Sequence, residues 1–381
     1  MIYFDNAATT MLKPPSVAQA VAAAINEFGG AGRGVHEASL ASGMAIYNAR
    51  AAIAHLLGAP DPKHVCFALN VTEALNCAIA GLLHAGDHAI TTAASHNSVL
   101  RPLYRKVDEE GVQLDVLPVA PDASIDYAAF EALFRPNTKA VVATHASNLT
   151  GDVYDIARMA AIAHDHGALF VLDAAQTAGS VPTNMVELGV DVLCFTGHKS
   201  LFGPQGTGGL CLGEGVDLPA FKEGGSGTHS YDRRHPDFYP EHLEAGTLNG
   251  HGIAGLAAGV AFIEGVGVEA IHRHTLALSD RFETGVRDLP GVRIYGGHAD
   301  VDRTGIVALN IGDVDSGAVS DLLNAEYGIC TRAGAHCAPL MHKALGTEGP
   351  GAVRFSFGYL NTEEEVDEGI RAIAEIVAEV A

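Results

Sequence analysis

Short apolar runs alternate with helical stretches from residue 64 onward, and this alternation constrains the fold more than any other feature of the chain. HVCFAL reads as a buried strand and TEALNCAIAGLL as a helix. HAITTAA, VQLDVLPV, KAVVATH, ALFVLDA, VDVLCFTG and TGGLCLG follow as strands, several separated by helical stretches such as YDIARMAAIAHDHG. Short strands without a polar face must be covered on both sides, and their alternation with helices means βαβ units and a mostly parallel sheet. Upstream, Val17, Val21, Ala24 and Phe28 share one helical face after a Pro-Pro-Ser start. Leu40, Met44, Tyr47 and Ala51 share another, on a helix that should stop near Gly58.

Downstream the pattern changes. Residues 214–248 are rich in Gly, Pro and charge and too long for an ordinary connection, so they read as a functional or interface loop. Two helices then run to about Val286. VRIYG, TGIVALNIG, GICTRAG and GAVRFSFGYL read as strands, with helices at 316–326 and 363–380. Val366, Ile370, Ile373 and Val377 mark the core face of the last helix. This tail is a second, α+β unit. A chain of 381 residues exceeds what one core normally organises. The expected division is a large domain over 14–264 and a smaller one over 1–13 and 265–381.

Lys and Arg number 23 against 45 Asp and Glu, a formal charge of −22 with no basic stripe. That balance argues against nucleic acid or an anionic membrane as the main partner, while leaving room for an anionic ligand in a locally positive pocket. No apolar run reaches the roughly 18 residues of a spanning helix. MIYFDNAATTMLKPP lacks the basic-then-apolar pattern of a secretory signal. Cys66, Cys77, Cys194, Cys211, Cys330 and Cys337 are dispersed without a C-x-x-C pair, so a reducing cytoplasm is expected rather than a disulfide framework. His164 and His166 in HDHG read as surface residues at a helix end, and no metal is expected.

One cysteine is differently placed. Cys337 lies in TRAGAHCAPL, a run of small residues with Arg332 five positions before it and His336 beside it. A thiol in such a turn can be exposed and partly ionised, and the thiolate is the nucleophilic form. Other chemistry-bearing residues sit where strands end. Lys199 follows an apolar strand in CFTGHKS, either as a surface contact or as an amine nucleophile favoured by desolvation. Asp173 ends the strand of LFVLDAAQ, either capping a helix or facing a protonated ring nitrogen. Val71 and Thr72 open a helix after ALN, where backbone N–H groups can cap or bind phosphate. His96 follows a strand in TTAASHNSV and suits a loop or a flat ring stacked upon it. Ligands bind at the carboxyl ends of strands in open α/β sheets. A carboxylate and a lysine at adjacent strand ends suit pyridoxal 5'-phosphate (PLP).

Over essentially its whole length the chain resembles the class V, fold-type I PLP enzymes, specifically the cysteine desulfurases and selenocysteine lyases. The resemblance runs through YFDNAATT, RGVHEAS, VTEALN, SHNSV, THASNLTG, LDAAQ, TGHKSLFGPQG, EAGTLN, RAGAHCAP and VRFSFGYLNT. The R-x-G-x-H-C-A segment resembles the group II desulfurase branch. The resemblance implies that Lys199 carries the cofactor aldehyde, Asp173 pairs with the ring nitrogen, Gln176 with the ring hydroxyl, and His96 stacks on the ring. It implies phosphate contacts from Val71, Thr72, Thr196 and His198, and from Thr247 of a neighbouring subunit, hence a homodimer with shared sites. Arg354 matches the arginine that grips the substrate carboxylate, flanked by Asn148 (also a cofactor contact), Arg332, Ala8 and His36. Cys337 matches the sulfur-accepting nucleophile. Ala335 stands where many relatives carry a first histidine, leaving His336 alone beside the cysteine.

The activity so implied is removal of sulfur from L-cysteine, giving alanine and an enzyme persulfide passed to an acceptor protein, for iron–sulfur cluster assembly or another thio-cofactor. Selenocysteine lyase, a class V aminotransferase, and a non-catalytic PLP-binding protein are the alternatives.

Overall fold

The computed structural model describes residues 1–31, 34–296 and 301–380. The chain enters through a short strand β1 (Ile2–Tyr3) and two helices, α1 (Pro15–Glu27) and α2 (Glu37–Leu57). It then lays down β2 (Val65–Ala68), α3 (Val71–Leu82), β3 (His88–Thr92), α4 (Asn97–Glu110), β4 (Gln113–Leu117), α5 (Tyr127–Glu131), β5 (Thr138–Thr144), α6 (Ile156–Asp165), β6 (Leu169–Asp173), β7 (Val192–Thr196) and β8 (Gly208–Leu212). The seven apolar runs form one sheet in the order β2-β8-β7-β6-β5-β3-β4. Its pairings are parallel except at β8, which runs antiparallel to both β7 and β2. The sheet is covered on both faces, which is why its strands lack a polar side. Phe67, Ile90, Phe170, Leu172, Leu193 and Phe195 pack with Ile53 of α2 and Met159 of α6. The alternate residues, among them Cys66, Val142, Val171 and Cys194, pack with Leu75 of α3 and Leu103 of α4.

Residues 214–249 contain no helix or strand. They are anchored by Glu244, which accepts two hydrogen bonds from the Arg50 guanidinium at 2.8 and 2.9 Å and one from the Phe67 backbone N–H at 2.6 Å. Helices α7 (Gly250–Val266) and α8 (Val268–Val286) lead to β9 (Val292–Tyr295), β10 (Ile306–Ile311), α9 (Ser316–Tyr327), β11 (Ile329–Cys330), β12 (Arg332–Gly334), α10 (Pro339–Leu345), β13 (Ala352–Ser356) and α11 (Glu363–Val380). A smaller antiparallel sheet, β12-β13-β10-β9, packs Val307, Leu309, Val353 and Phe355 against Phe282 of α8 and Ile373 of α11.

Two sequence expectations come out differently. GICTRAG, read as one strand, is split: Ile329 and Cys330 pair with β1, and Arg332–Gly334 pair with β13 in the other sheet. Apolar patterning marks an extended segment but carries no information on its partner. On α2, the face carrying Leu40, Met44 and Tyr47 does not meet the core; these side chains are 54%, 65% and 58% exposed. The helix instead buries Ile46, Ala49, Ile53 and Leu57.

Arg50 and Glu244 are both buried, so removing one charge leaves the other without compensation. Glu244→Ala is expected to cost about 3–5 kcal/mol, read as a lower urea midpoint at unchanged slope.

Candidate active site

Strands β2, β3, β5, β6 and β7 run the same way, so their carboxyl ends lie along one edge. That edge and the small sheet wall a cavity of about 260 Å3 whose lining includes Thr72, His96, Lys199, Arg332, Cys337 and Arg354. Ala8, Val71, Asn148, Gln176, Thr196 and His198 also line it. Asp173 ends β6 next to this group and is buried, with the Ala175 backbone N–H donating to its carboxylate at 3.0 Å. Two expected residues lie elsewhere. His36 is exposed at the start of α2, where its Nδ1 caps the helix by accepting from the Ser39 N–H. Thr247 is exposed, three residues beyond the anchored Glu244, and lines a different depression with Phe67 and Lys222. A larger open hollow of about 760 Å3 is walled by the 223–236 loop alone and holds none of the strand-end groups.

Local structure explains each placement. The turn after β7 is tight: a Cβ at Gly197 would meet Thr207 Oγ1 at 2.1 Å, so only glycine allows the turn that leads into His198 and Lys199. Asn70 caps α3 by accepting from the Glu73 N–H at 3.0 Å, and the first N–H groups of that helix, at Val71 and Thr72, have no intrahelical acceptor. His96 caps α4, its Nδ1 accepting from the Ser98 N–H at 3.0 Å. A ring nitrogen that accepts from a backbone amide carries no proton, so in neutral His96 the proton sits on Nε2.

Burial sets the protonation states. Desolvation, reinforced by Arg354 and Arg332 and opposed by Asp173, lowers Lys199 to about 8. Desolvation, helped by the Lys199 charge, lowers His96 and His198 to about 4. Asp173 moves upward, again chiefly by desolvation.

Arg354 is buried. Its Nη1 donates to the Asn148 carbonyl at 2.8 Å and its Nη2 to Asp5 at 2.8 Å, while Nε has no partner among the described residues. Arg332 lies directly across the ladder from it. Two facing arginines with an unused buried donor invite an anionic ligand, and a carboxylate can engage a guanidinium through two parallel bonds.

His336 and Cys337 both adopt left-handed backbone, with φ of 49° and 56°. Each such non-glycine residue costs roughly 1–2 kcal/mol, so the surroundings must hold it. Asn148 Nδ2 donates to the His336 carbonyl at 2.7 Å, and the Cys337 carbonyl accepts from the Asn97 N–H at 2.8 Å. Beneath them runs a chain of neutral rings. Thr347 Oγ1 donates to His342 Nδ1 at 2.7 Å, His342 Nε2 to His336 Nδ1 at 3.4 Å, and His336 Nε2 to the Arg332 carbonyl at 3.0 Å. Burial lowers His336 to about 3, so it braces the loop as a neutral ring and places no cation beside the thiol. Asp5 lies within YFDNAATT, but no local pattern signals its pairing with Arg354, and none marks His342 or Thr347.

The aminotransferase class-V family model matches residues 2–368. A probable cysteine desulfurase from Methanothermobacter thermautotrophicus is 33% identical, over all of this chain and 94% of that protein. The apo structure of a cysteine desulfurase from Thermococcus onnurineus superposes with a TM-score of 0.91 at 32% identity, covering 100% of this chain and 95% of that one. An Escherichia coli cysteine desulfurase gives 0.90 at 28% identity, again over 100% and 95%. This chain belongs to the class-V aminotransferase family, among the cysteine desulfurases.

These desulfurases depend on PLP, and the residues here fit that group. The Thr196 hydroxyl is buried without a partner among the described residues, and it lines the cavity with the open N-terminus of α3, a pair suited to a phosphate. Asp173 is buried with few donors, and a cationic ring nitrogen would offset the burial that raises its pKa. Lys199 supplies the amine. At pH 7 an amine with a pKa of about 8 is on the order of one-tenth neutral, against well under a hundredth for an ordinary lysine. The rate of PLP uptake by the apoprotein should therefore rise about tenfold per pH unit below 8 and level off above it. Borohydride reduction and peptide mapping should place the label on Lys199; a rate still climbing at pH 10 contradicts the assignment.

The histidine chain yields a second expectation. His342→Leu should retain PLP but lose its hold on Cys337, seen as an altered alkylation rate of that thiol with unchanged cofactor occupancy.

Proposed function

We propose that this chain removes sulfur from L-cysteine, leaving L-alanine and a persulfide on Cys337 that passes to an acceptor. The observation that carries the reading is that an amine, a buried guanidinium and an accessible thiol line one cavity: Lys199, Arg354 and Cys337. PLP, when bound, supplies an electron-withdrawing ring that acidifies the Cα proton of the amino acid. Arg354, through Nε, and Arg332 hold the substrate carboxylate. Lys199, whose lowered pKa leaves a usable neutral fraction near pH 7, moves the Cα proton. Asp173 and Gln176 would orient the cofactor ring, His96 would stack on it, and Val71, Thr72, Thr196 and His198 would hold its phosphate, with Asn148 and Ala8 closing the wall. His96, which lines the same cavity with its proton on Nε2, serves in proton transfer at the substrate sulfur. The Cys337 thiolate attacks that sulfur; the S–S bond forms as the Cβ–S bond breaks, its electron pair stays with the carbon fragment, and protonation there gives alanine.

Selenocysteine fits the same site, and an aminotransferase would use the same lysine without the thiol. Cys337→Ser separates the three. The desulfurase reading expects PLP binding to persist, alanine formation from cysteine to fall at least a hundredfold (~3 kcal/mol), and wild-type turnover to add a sulfur to the Cys337 peptide. Retained turnover of selenocysteine alone points to a lyase. Wild-type turnover of cysteine in the Ser variant removes Cys337 from the reaction.

The same reading includes a homodimer. Leu40, Met44 and Tyr47 form an exposed apolar stripe on α2, and Thr247 is exposed outside its own subunit's Lys199 cavity, free to reach a partner's phosphate. Mixing inactive Lys199→Ala and Thr247→Ala proteins should restore part of the activity; sedimentation of a fully active monomer contradicts this. A cytoplasmic setting accords with six cysteines that are all unpaired.

A further inference from the structure

Cys337 stands between two cavities. The first holds Lys199 and Arg354. The second, of about 310 Å3, lies along the first turns of α4; Asn76, His96, Ser98, Arg101, Arg105 and Cys337 are in its wall. The cysteine loop is fastened to that helix by the hydrogen bond from the Asn97 N–H to the Cys337 carbonyl. Arg101 and Arg105 are four residues apart, so they project from one face of α4. Both are exposed, and neither makes an ion pair or hydrogen bond among the described residues, whereas Lys106 on the same helix pairs with Glu110 at 2.7 Å. On a chain of charge −22, two unpaired arginines beside the nucleophile form a local reversal of the field. They are not needed for the substrate carboxylate, which Arg354 and Arg332 already address from the other cavity.

We propose that the second cavity is the sulfur-acceptor subsite, and that the acceptor carries its thiol beside carboxylates held by Arg101 and Arg105. This rests on the desulfurase reading. Rotation about the Cα–Cβ bond of Cys337 carries the terminal sulfur from one cavity to the other without moving the loop. The acceptor thiolate attacks that sulfur, forming a new S–S bond. The bond to Cys337 breaks, Cys337 leaves as the thiolate with the electron pair, and the acceptor becomes a persulfide with no net oxidation. The arginines raise the local concentration of an anionic thiol and orient it.

The test uses the holoenzyme with saturating cysteine and four acceptors: mercaptosuccinate, an acetylated tripeptide with cysteine between two aspartates, neutral 2-mercaptoethanol and cationic cysteamine. Acceptor-dependent alanine formation gives a second-order rate constant for each. Comparing wild type with Arg101→Gln/Arg105→Gln for the same thiol cancels the thiol's own nucleophilicity. The two anionic acceptors should lose roughly 3- to 10-fold in the variant, the other two less than twofold. The alanine burst without acceptor should be unchanged. In wild type alone, added salt should slow the carboxylate-bearing acceptors more than 2-mercaptoethanol, whose reacting thiolate carries a single charge. A larger effect for the tripeptide indicates a protein-borne acceptor, and a larger effect for mercaptosuccinate a free thiol; both support the subsite. Equal losses for charged and neutral thiols, no loss for the anionic ones, or a flat salt response overturn it. Absence of the burst in wild type would instead overturn the desulfurase reading itself.

Discussion

The guanidinium of Arg354 organises the molecule around the site. A buried charge without partners costs several kcal/mol, and its partners come from distant parts of the chain: Asp5 after β1 and the carbonyl of Asn148 after β5. Supplying them brings the N-terminal segment and the small sheet onto the carboxyl edge of the large one. The join is reinforced nearby, where the Ala7 N–H donates to Ser356 Oγ at 2.9 Å and Asn6 Nδ2 to the Ser356 carbonyl at 2.9 Å. The donor left over, Nε, has no hydrogen-bond partner among the described residues. Fastening the small sheet and, in the proposed reaction, binding a carboxylate would be two uses of one buried charge.

Desolvation is the second common cause. It lowers the pKa of Lys199 and keeps His96, His198 and His336 neutral, because each is removed from water near other cations. The consequences differ with position. Lys199 becomes able to move a proton near neutral pH. His96 presents an N–H in its neutral form. His336 becomes a rigid strut linking Arg332 to His342, which is what a left-handed cysteine needs when Ala335 offers no side chain to help.

Much of this was legible before any coordinates. An apolar run such as VLCFT with no polar alternation requires cover on both faces, and HAITT, LFVLD and their neighbours indeed lie between two helical layers. The strand-end residues Thr72, His96 and Lys199 meet at one cavity, with Asp173 buried beside it. What failed was orientation. Leu40, Met44 and Tyr47 were read as a helix face in the same way as Val17 and Ala24, yet only the latter are buried in the protomer. Periodicity identifies an apolar face without saying which surface it will meet.

The sequence by itself determined the βαβ alternation, the covered sheet, the strand-end residues and a cysteine in a turn of small residues, because these follow from local spacing and solvent preference. Tertiary packing alone pairs Asp5 with Arg354, divides GICTRAG between two sheets, sets His342 and Thr347 behind His336, and puts Arg101 and Arg105 in one cavity wall with Cys337. The physical reason is separation along the chain. Asp5 and Arg354 are 349 positions apart, and Asn148 and His336 are 188 apart. No local pattern encodes such contacts; they arise when packed layers force buried donors and acceptors to find one another.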